Sequence, residues 1–300
     1  MRRRMLLGGL AALPFSSSAA TPLRVVASFT ILADLARQIG GPRIEVVSLV
    51  GPEQDMHGFD PKPSAVQAVG RADVMLINGL GLEPWAERLG RAAGFKGRGI
   101  VASRGVAALK GGHKHGAGTS GHSHGSEDPH AWQDVGNVKR YAANIREGLA
   151  AADPAGAAAY QANTTALLDR LGALEVEIRG AYLAIPRPAR TVVTSHEAFS
   201  YYGDAYDIDF LAPQGLTTAG EPTPRQIAAL VNQIKTRKVR ALFIEKLGRS
   251  PLLAQVARET GVRIGGELYS DALSAADGPA ATYEAMMRHN TRMIAEALRG

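Results

Sequence analysis

Asp128-Pro129-His130-Ala131-Trp132 is the stretch on which the reading of this chain turns. It follows a loop crowded with histidines, Gly111 to Gly125, and precedes a helical pattern. One His after a Pro says little, because a lone His is more often a satisfied structural residue. Two further histidines stand in segments that look like loops after strands. They are His57 in Met56-His57-Gly58-Phe59-Asp60-Pro61 and His196 in Thr194-Ser195-His196-Glu197-Ala198-Phe199. An acid follows late, in Tyr269-Ser270-Asp271. Three neutral imidazoles and one carboxylate make a full tetrahedral set for zinc.

The segments around these residues alternate between strand and helix. Leu23 to Ser28 is a short β-rich run, and Ile31, Leu32, Leu35 and Ile39 then fall at helical spacing before Gly40-Gly41. Further strands are expected over Ile44–Val50, Val74–Asn78 and Gly99–Ala102, with helices over Ser64–Val69 and Glu83–Ala93. Asp134 to Ala151 is helical. Asp153-Pro154 opens a second helix reaching about Ala184, and some 30 residues at 1.5 Å each give a rod of roughly 45 Å. The alternation then resumes. Strands are expected over Thr191–Thr194, Asp209–Ala212, Val239–Glu245 and Arg263–Leu268, and helices over Phe199–Tyr206, Pro224–Thr236, Pro251–Thr260 and Pro279–Leu298. The expected fold class is α/β: two β-α lobes with mainly parallel sheets, joined by one long α-helix, with the metal site in the interlobe cleft. The expected boundaries are 21–152 for the first lobe, 153–186 for the linking helix and 187–300 for the second lobe.

The chain opens on Met1-Arg2-Arg3-Arg4, an apolar run from Met5 to Phe15, and Ser16-Ser17-Ser18-Ala19-Ala20. That order of charge, short apolar run and small residues is the pattern of a secretory signal, so 1–20 is read as a leader. The run of about 11 residues is too short for a bilayer span of roughly 20. Paired arginines leave Sec and twin-arginine export both open. The chain has no cysteine, hence no disulfide, no thiolate ligand and no Cys for a lipid anchor. A free periplasmic protein, monomeric, is the expectation. Lys and Arg total 34 against 28 Asp and Glu. Three of the cations are Arg2, Arg3 and Arg4, which leaves 31 against 28. There is no basic stripe with interleaved aromatics, which argues against nucleic acid as a partner.

His57, His130, His196 and Asp271 each lie past a strand or between elements, where open α/β sheets place ligand-binding groups. Two belong to each lobe, so one ion held by all four would bridge the cleft. Imidazole nitrogens favour zinc, and Mn²⁺ prefers more oxygen. Four protein ligands leave no open position for an activated water, so the set suits binding rather than catalysis. Blander roles stand beside these. His196 could cap the following helix, His57 could be a surface loop residue, and Asp271 a turn residue. Asp60, Asp128, Glu197, Glu245 and Glu267 are rival carboxylates. His289, Trp85 and Trp132 suit packing. Four of the eight histidines, His113, His115, His122 and His124, crowd the Gly/Ser-rich loop and suit weak accessory metal capture.

The motifs Met56-His57-x-Phe59-x-Pro61, Asp128-Pro129-His130-Ala131-Trp132, Ser195-His196-x-Ala198-Phe199 and Asp271-x-Leu273-Ser274 resemble those of the zinc- and manganese-binding proteins that deliver metal to ABC importers, the group with a rigid interlobe helix. They follow the family order over nearly the whole chain after the leader. The resemblance implies a metal site between two lobes and hand-over to an ABC importer permease in the inner membrane. It also implies zinc, because zinc members carry His at the third ligand position, where His196 stands, and manganese members carry Glu. A His-rich loop before the second ligand is likewise a zinc-member trait. The expected cargo is Zn²⁺, with Mn²⁺ or another divalent ion as the alternative. A zinc hydrolase with Glu197 or Glu245 as base is the competing class, and an adhesin or a metal buffer a third. Binding needs deprotonated imidazoles, so affinity is expected to fall as pH drops through about 6.5.

Overall fold

The computed structural model describes residues 21–110, 127–213, 215–216, 218, 222–245 and 251–300. The leader and His113, His115, His122 and His124 lie outside the described residues. β1 (Leu23–Ala27), β2 (Ile44–Ser48), β3 (Val74–Ile77) and β4 (Arg98–Val101) form one parallel sheet in the order β2-β1-β3-β4. β5 (Thr191–Val193), β6 (Asp209–Leu211), β7 (Ala241–Glu245) and β8 (Arg263–Leu268) form a second in the order β6-β5-β7-β8. The two orders are the same. In each lobe the chain steps to one side of its opening strand and then returns past it to the other. That reversal opens a crevice beyond the carboxyl ends of the strands. Apolar runs such as Val74-Met75-Leu76 and Ala241-Leu242-Phe243 suit strands covered on both faces.

Helix α1 (Thr30–Gly40) buries Ile31, Leu32, Leu35 and Ile39 and stops at Gly41, whose φ of 54° suits glycine. Helices α2 (Pro63–Arg71) and α3 (Ala86–Ala92) cover the outer face of the first sheet, where Val26, Val69, Trp85 and Leu89 form a small cluster. Helix α4 (Val135–Ala152) starts where the Asp134 carboxylate accepts from Gly136 N at 2.7 Å. Helix α5 (Ala157–Tyr182) has 26 residues and is therefore about 39 Å long. In the second lobe follow α6 (Ser200–Tyr206), α7 (Pro224–Arg237), α8 (Pro251–Thr260) and α9 (Tyr283–Arg299). The main core is continuous across both lobes. Leu167, Leu171, Leu174 and Ile178 of α5 share it with Val25 and Leu76 on one side and Phe243 and Leu298 on the other. A polar bracket adds to this. Arg170 of α5 (3.1 Å) and Gln38 of α1 (2.8 Å) both donate to the Glu284 carboxylate of α9.

Most expected elements form within a residue or two of their expected ends, and the exceptions have local causes. Glu83 does not start a helix. Its buried carboxylate turns back to accept from Ser28 Oγ, Asn78 N and Gly79 N, and α3 begins at Ala86. The closing helix begins at Tyr283 rather than Pro279, because Thr282 caps it by accepting from Ala285 N, and Ala280 N is bound by Ser274 Oγ. The linking helix is a few residues shorter than expected because Pro154–Gly156 forms a separate 3₁₀ turn ahead of it.

Leu171 is fully buried on the helix that both lobes share. Leu171→Ala is expected to lower unfolding free energy by about 2–5 kcal/mol in denaturant titration. A loss below about 0.5 kcal/mol would contradict a core continuous through α5.

Candidate metal centre

Each of the four residues is delivered by a different loop at the carboxyl ends of the strands. His57 sits between β2 and α2. Met56 beside it is fully buried, and Asp55 Oδ1 accepts from His57 N at 2.8 Å. His130 follows β4 at a distance. Its position is fixed by two groups. Asn78 at the end of β3 donates to the Pro129 carbonyl at 2.9 Å, and Asp128 Oδ1 accepts from His130 N at 2.9 Å. His196 comes three residues after β5, where Glu245 Oε1 at the end of β7 accepts from Ser195 N (2.7 Å) and His196 N (3.0 Å). Asp271 comes three residues after β8. The preceding Tyr269 exchanges two hydrogen bonds with the Asn290 side chain.

These loops bring His57, His130, His196 and Asp271 together, with one donor atom from each lying within 4.8 Å of the others. His130 Nε2 is 3.3 Å from His57 Nε2 and 3.4 Å from Asp271 Oδ1. Asp271 Oδ2 is 3.3 Å from His196 Nε2 and 3.7 Å from His57 Nε2. The imidazole centroids are 5.4 to 5.6 Å apart. The side chains are nearly closed to solvent, His57 being 4% exposed and the other three 1% or less.

The outer nitrogens explain why the inner ones face each other. Asp128 Oδ1 lies 2.7 Å from His130 Nδ1, and Glu245 Oε2 lies 2.7 Å from His196 Nδ1. At His130 the Asp128 carboxylate suits a proton on Nδ1, which leaves Nε2 to point inward, while at His196 Glu245 Oε2 makes a close charge contact with Nδ1. Buried His196 Nε2 and Asp271 Oδ1 have no hydrogen-bond partner. Burial lowers the His57 pKa. At His196 burial opposes the charge, but Glu245 and Asp271 together raise its pKa well above the usual histidine value. Burial would also raise Asp271, yet His196, His130 and His57 hold it well below the ordinary carboxylate range. A field that keeps a proton on a buried imidazole is one that favours a cation. The set can hold a divalent ion through three nitrogens and one oxygen.

Of the rival acids, Asp128 and Glu245 stand behind the imidazoles rather than among them. Asp60, Glu197 and Glu267 are not members of the cluster. His196 does not cap α6, which starts at Ser200 with no side-chain cap. His289 contacts the Glu267 carbonyl and the Tyr269 ring, away from the cluster. Trp85 and Trp132 are core residues, as expected. Asn78 and Glu83, which support these loops, are not among the candidates the sequence offers.

A family model described as zinc-uptake complex component A, periplasmic (ZnuA) matches residues 25–297. The manganese-binding lipoprotein MntA of Halalkalibacterium halodurans is 37% identical over 276 residues, covering 92% of this chain and 88% of that protein. The iron ABC transporter substrate-binding lipoprotein MtsA of Streptococcus pyogenes serotype M1 is 33% identical over 283 residues, covering 92% and 89%. The solved periplasmic zinc binding protein TroA from Treponema pallidum is similar in fold, with a TM-score of 0.83 at 27% identity, covering 93% of this chain and 99% of that one.

Glu245 Oε1 satisfies the buried backbone N–H groups of Ser195 and His196. Glu245→Ala in chelator-treated protein is therefore expected to cost about 1–3 kcal/mol of stability at neutral pH, read by urea unfolding. An unchanged midpoint would show that those groups find other partners.

Proposed function

The chain belongs to the zinc-uptake complex component A family, as a metal-binding substrate-binding protein of ABC importers, and on that premise we propose that it captures Zn²⁺ outside the cytoplasm and delivers it to a membrane permease. Proteins of this kind are not enzymes, which sets the hydrolase alternative aside. In our reading His57, His130 and His196 bind through Nε2 and Asp271 through a carboxylate oxygen. The ion is the cargo, not a resident cofactor.

The observation that carries zinc is the make-up of the donor set. Its four donor atoms lie within 4.8 Å of one another, close enough for a single ion to reach all of them. Nitrogen donors outnumber oxygen three to one, which suits zinc better than manganese. Manganese is the second reading, favoured by the name of MntA.

Delivery from two lobes fits a transport role, because parting the lobes would break the donor set without unfolding either sheet. We take 21–152 and 187–300 as those lobes, and 153–186 as the element that limits their movement. His113, His115, His122 and His124 are proposed as accessory, weak ligands on composition alone. MntA and MtsA are lipoproteins, so the sequence expectation of a protein without a lipid anchor, which rested on the lack of Cys, finds no support in them. A setting outside the cytoplasm is common to both views.

Elemental analysis and chelator competition test the reading. Wild-type protein is expected to bind one tight equivalent of Zn²⁺ and to bind Mn²⁺ more weakly. His57→Ala, His130→Ala and His196→Ala are each expected to weaken Zn²⁺ binding by at least about 100-fold, more than the usual loss of an outer-shell partner. Unchanged affinity in all three variants would defeat the ligand assignment. Tighter binding of Mn²⁺ than Zn²⁺ would favour the second reading.

A further inference from the structure

We propose that Trp132 and Gln133 are positioning residues that set the size of ion the site accepts, by locking the separation of His130 and Asp271; the proposal rests on the metal reading above. Trp132 Nε1 and Gln133 Nε2 both donate to the Ser270 carbonyl, each at 2.8 Å. One carbonyl oxygen offers two lone pairs, and both are used. The donors lie two and three residues beyond His130, in a buried 3₁₀ turn, and the acceptor is the residue before Asp271. The partners are 138 and 137 residues apart in sequence. The pair of bonds is thus a strut between a ligand loop of the first lobe and a ligand loop of the second. It stands beside the His130 Nε2 to Asp271 Oδ1 edge of 3.4 Å.

A second observation concerns Gln133 itself. It is completely buried, and its Oε1 has no hydrogen-bond partner. A buried amide oxygen left unpaired costs stability that an apolar side chain of the same length would not. A core built for stability alone is better served by methionine there, so the Nε2 donor is what the position requires. Trp132 is anchored in turn. Tyr283 Oη donates to its carbonyl at 2.9 Å, and its ring packs on Phe29 and His130 at centroid distances of 4.9 and 5.3 Å. The strut therefore cannot lengthen without moving α9 or the main core. A 3.4 Å edge matches a tetrahedral ion with bonds of about 2.0–2.1 Å, whereas an octahedral ion with slightly longer bonds needs its neighbouring donors closer together, so fixing this edge favours the tetrahedral ion.

The test is the double substitution Trp132→Phe and Gln133→Met in the full chain, which removes both N–H donors and keeps the side-chain bulk. Zn²⁺ and Mn²⁺ affinities are measured separately by chelator competition. Zn²⁺ affinity is expected to fall about ten-fold or more, as for loss of outer-shell support, and Mn²⁺ affinity less than three-fold. No loss for either ion overturns the proposal, and so does an equal loss for both, which a purely structural role would give. Gln133→Met alone guards against a double variant that does not fold. It is expected to show a smaller drop in Zn²⁺ preference with a thermal midpoint, free of metal, equal to or above wild type. A lower midpoint with the preference unchanged overturns the positioning role. His130→Ala in the same assay separates the two ideas. If it keeps tight binding, His130 is not a ligand and the strut, which acts through His130, falls with it. If it loses binding while the strut variants behave as wild type, the strut alone is wrong.

Discussion

A carboxylate closed off from water among three imidazoles is the constraint on which the rest of the molecule depends. Asp271 is 1% exposed, and burying its charge unpaired would cost several kcal/mol. The imidazoles hold its pKa down, and Asp271 with Glu245 raises that of His196. The proton favoured on His196 supplies positive charge beside that carboxylate, and in the function proposed above a divalent cation takes over this part. Asp128 and Glu245, beside the outer nitrogens of His130 and His196, add negative charge behind these two imidazoles.

Two copies of one topological plan put those groups in place. The order β2-β1-β3-β4 recurs as β6-β5-β7-β8, and each copy turns its carboxyl strand ends toward the shared cleft. Each also buries one glutamate at its switch point, and the two glutamates act alike. Glu83 binds Ser28 Oγ and the backbone of Asn78 and Gly79, while Glu245 binds the backbone of Ser195 and His196. The first supports the Asn78 side chain that holds the Pro129 carbonyl, and the second supports His196 directly. Helix α5 and the core running through it then join the two copies.

The four ligand candidates were legible in the sequence because each stands in a compact local motif. Strand and helix order was legible because apolar periodicity is local. What the sequence did not reveal depends on partners far along the chain. Glu83 continues a helical pattern on composition, and its contacts with Ser28, 55 residues away, and with the backbone N–H groups of Asn78 and Gly79 hold it in the loop. A usable signal was nearby, since the glycines at 79 and 81 both take positive φ. The true start of α9 was also signalled by Thr282 as a capping residue, which Pro279 obscured. Gln133 gave no signal at all. It is a polar residue next to a helix start, and its meaning appears only when the Ser270 carbonyl is brought to it. Glu245 was visible as an acid ending an apolar strand, but its role behind His196 rather than in the cluster needed the pairing of β5 with β7.

X-ray absorption at the zinc edge, on protein loaded with one equivalent of Zn²⁺, tests most directly whether three imidazoles and one carboxylate surround a single ion. Four nitrogen or oxygen donors at about 2.0–2.1 Å are expected, with the multiple-scattering pattern of three histidines. A shell of six oxygens at longer distance, or a pattern of one imidazole or none, would contradict the account.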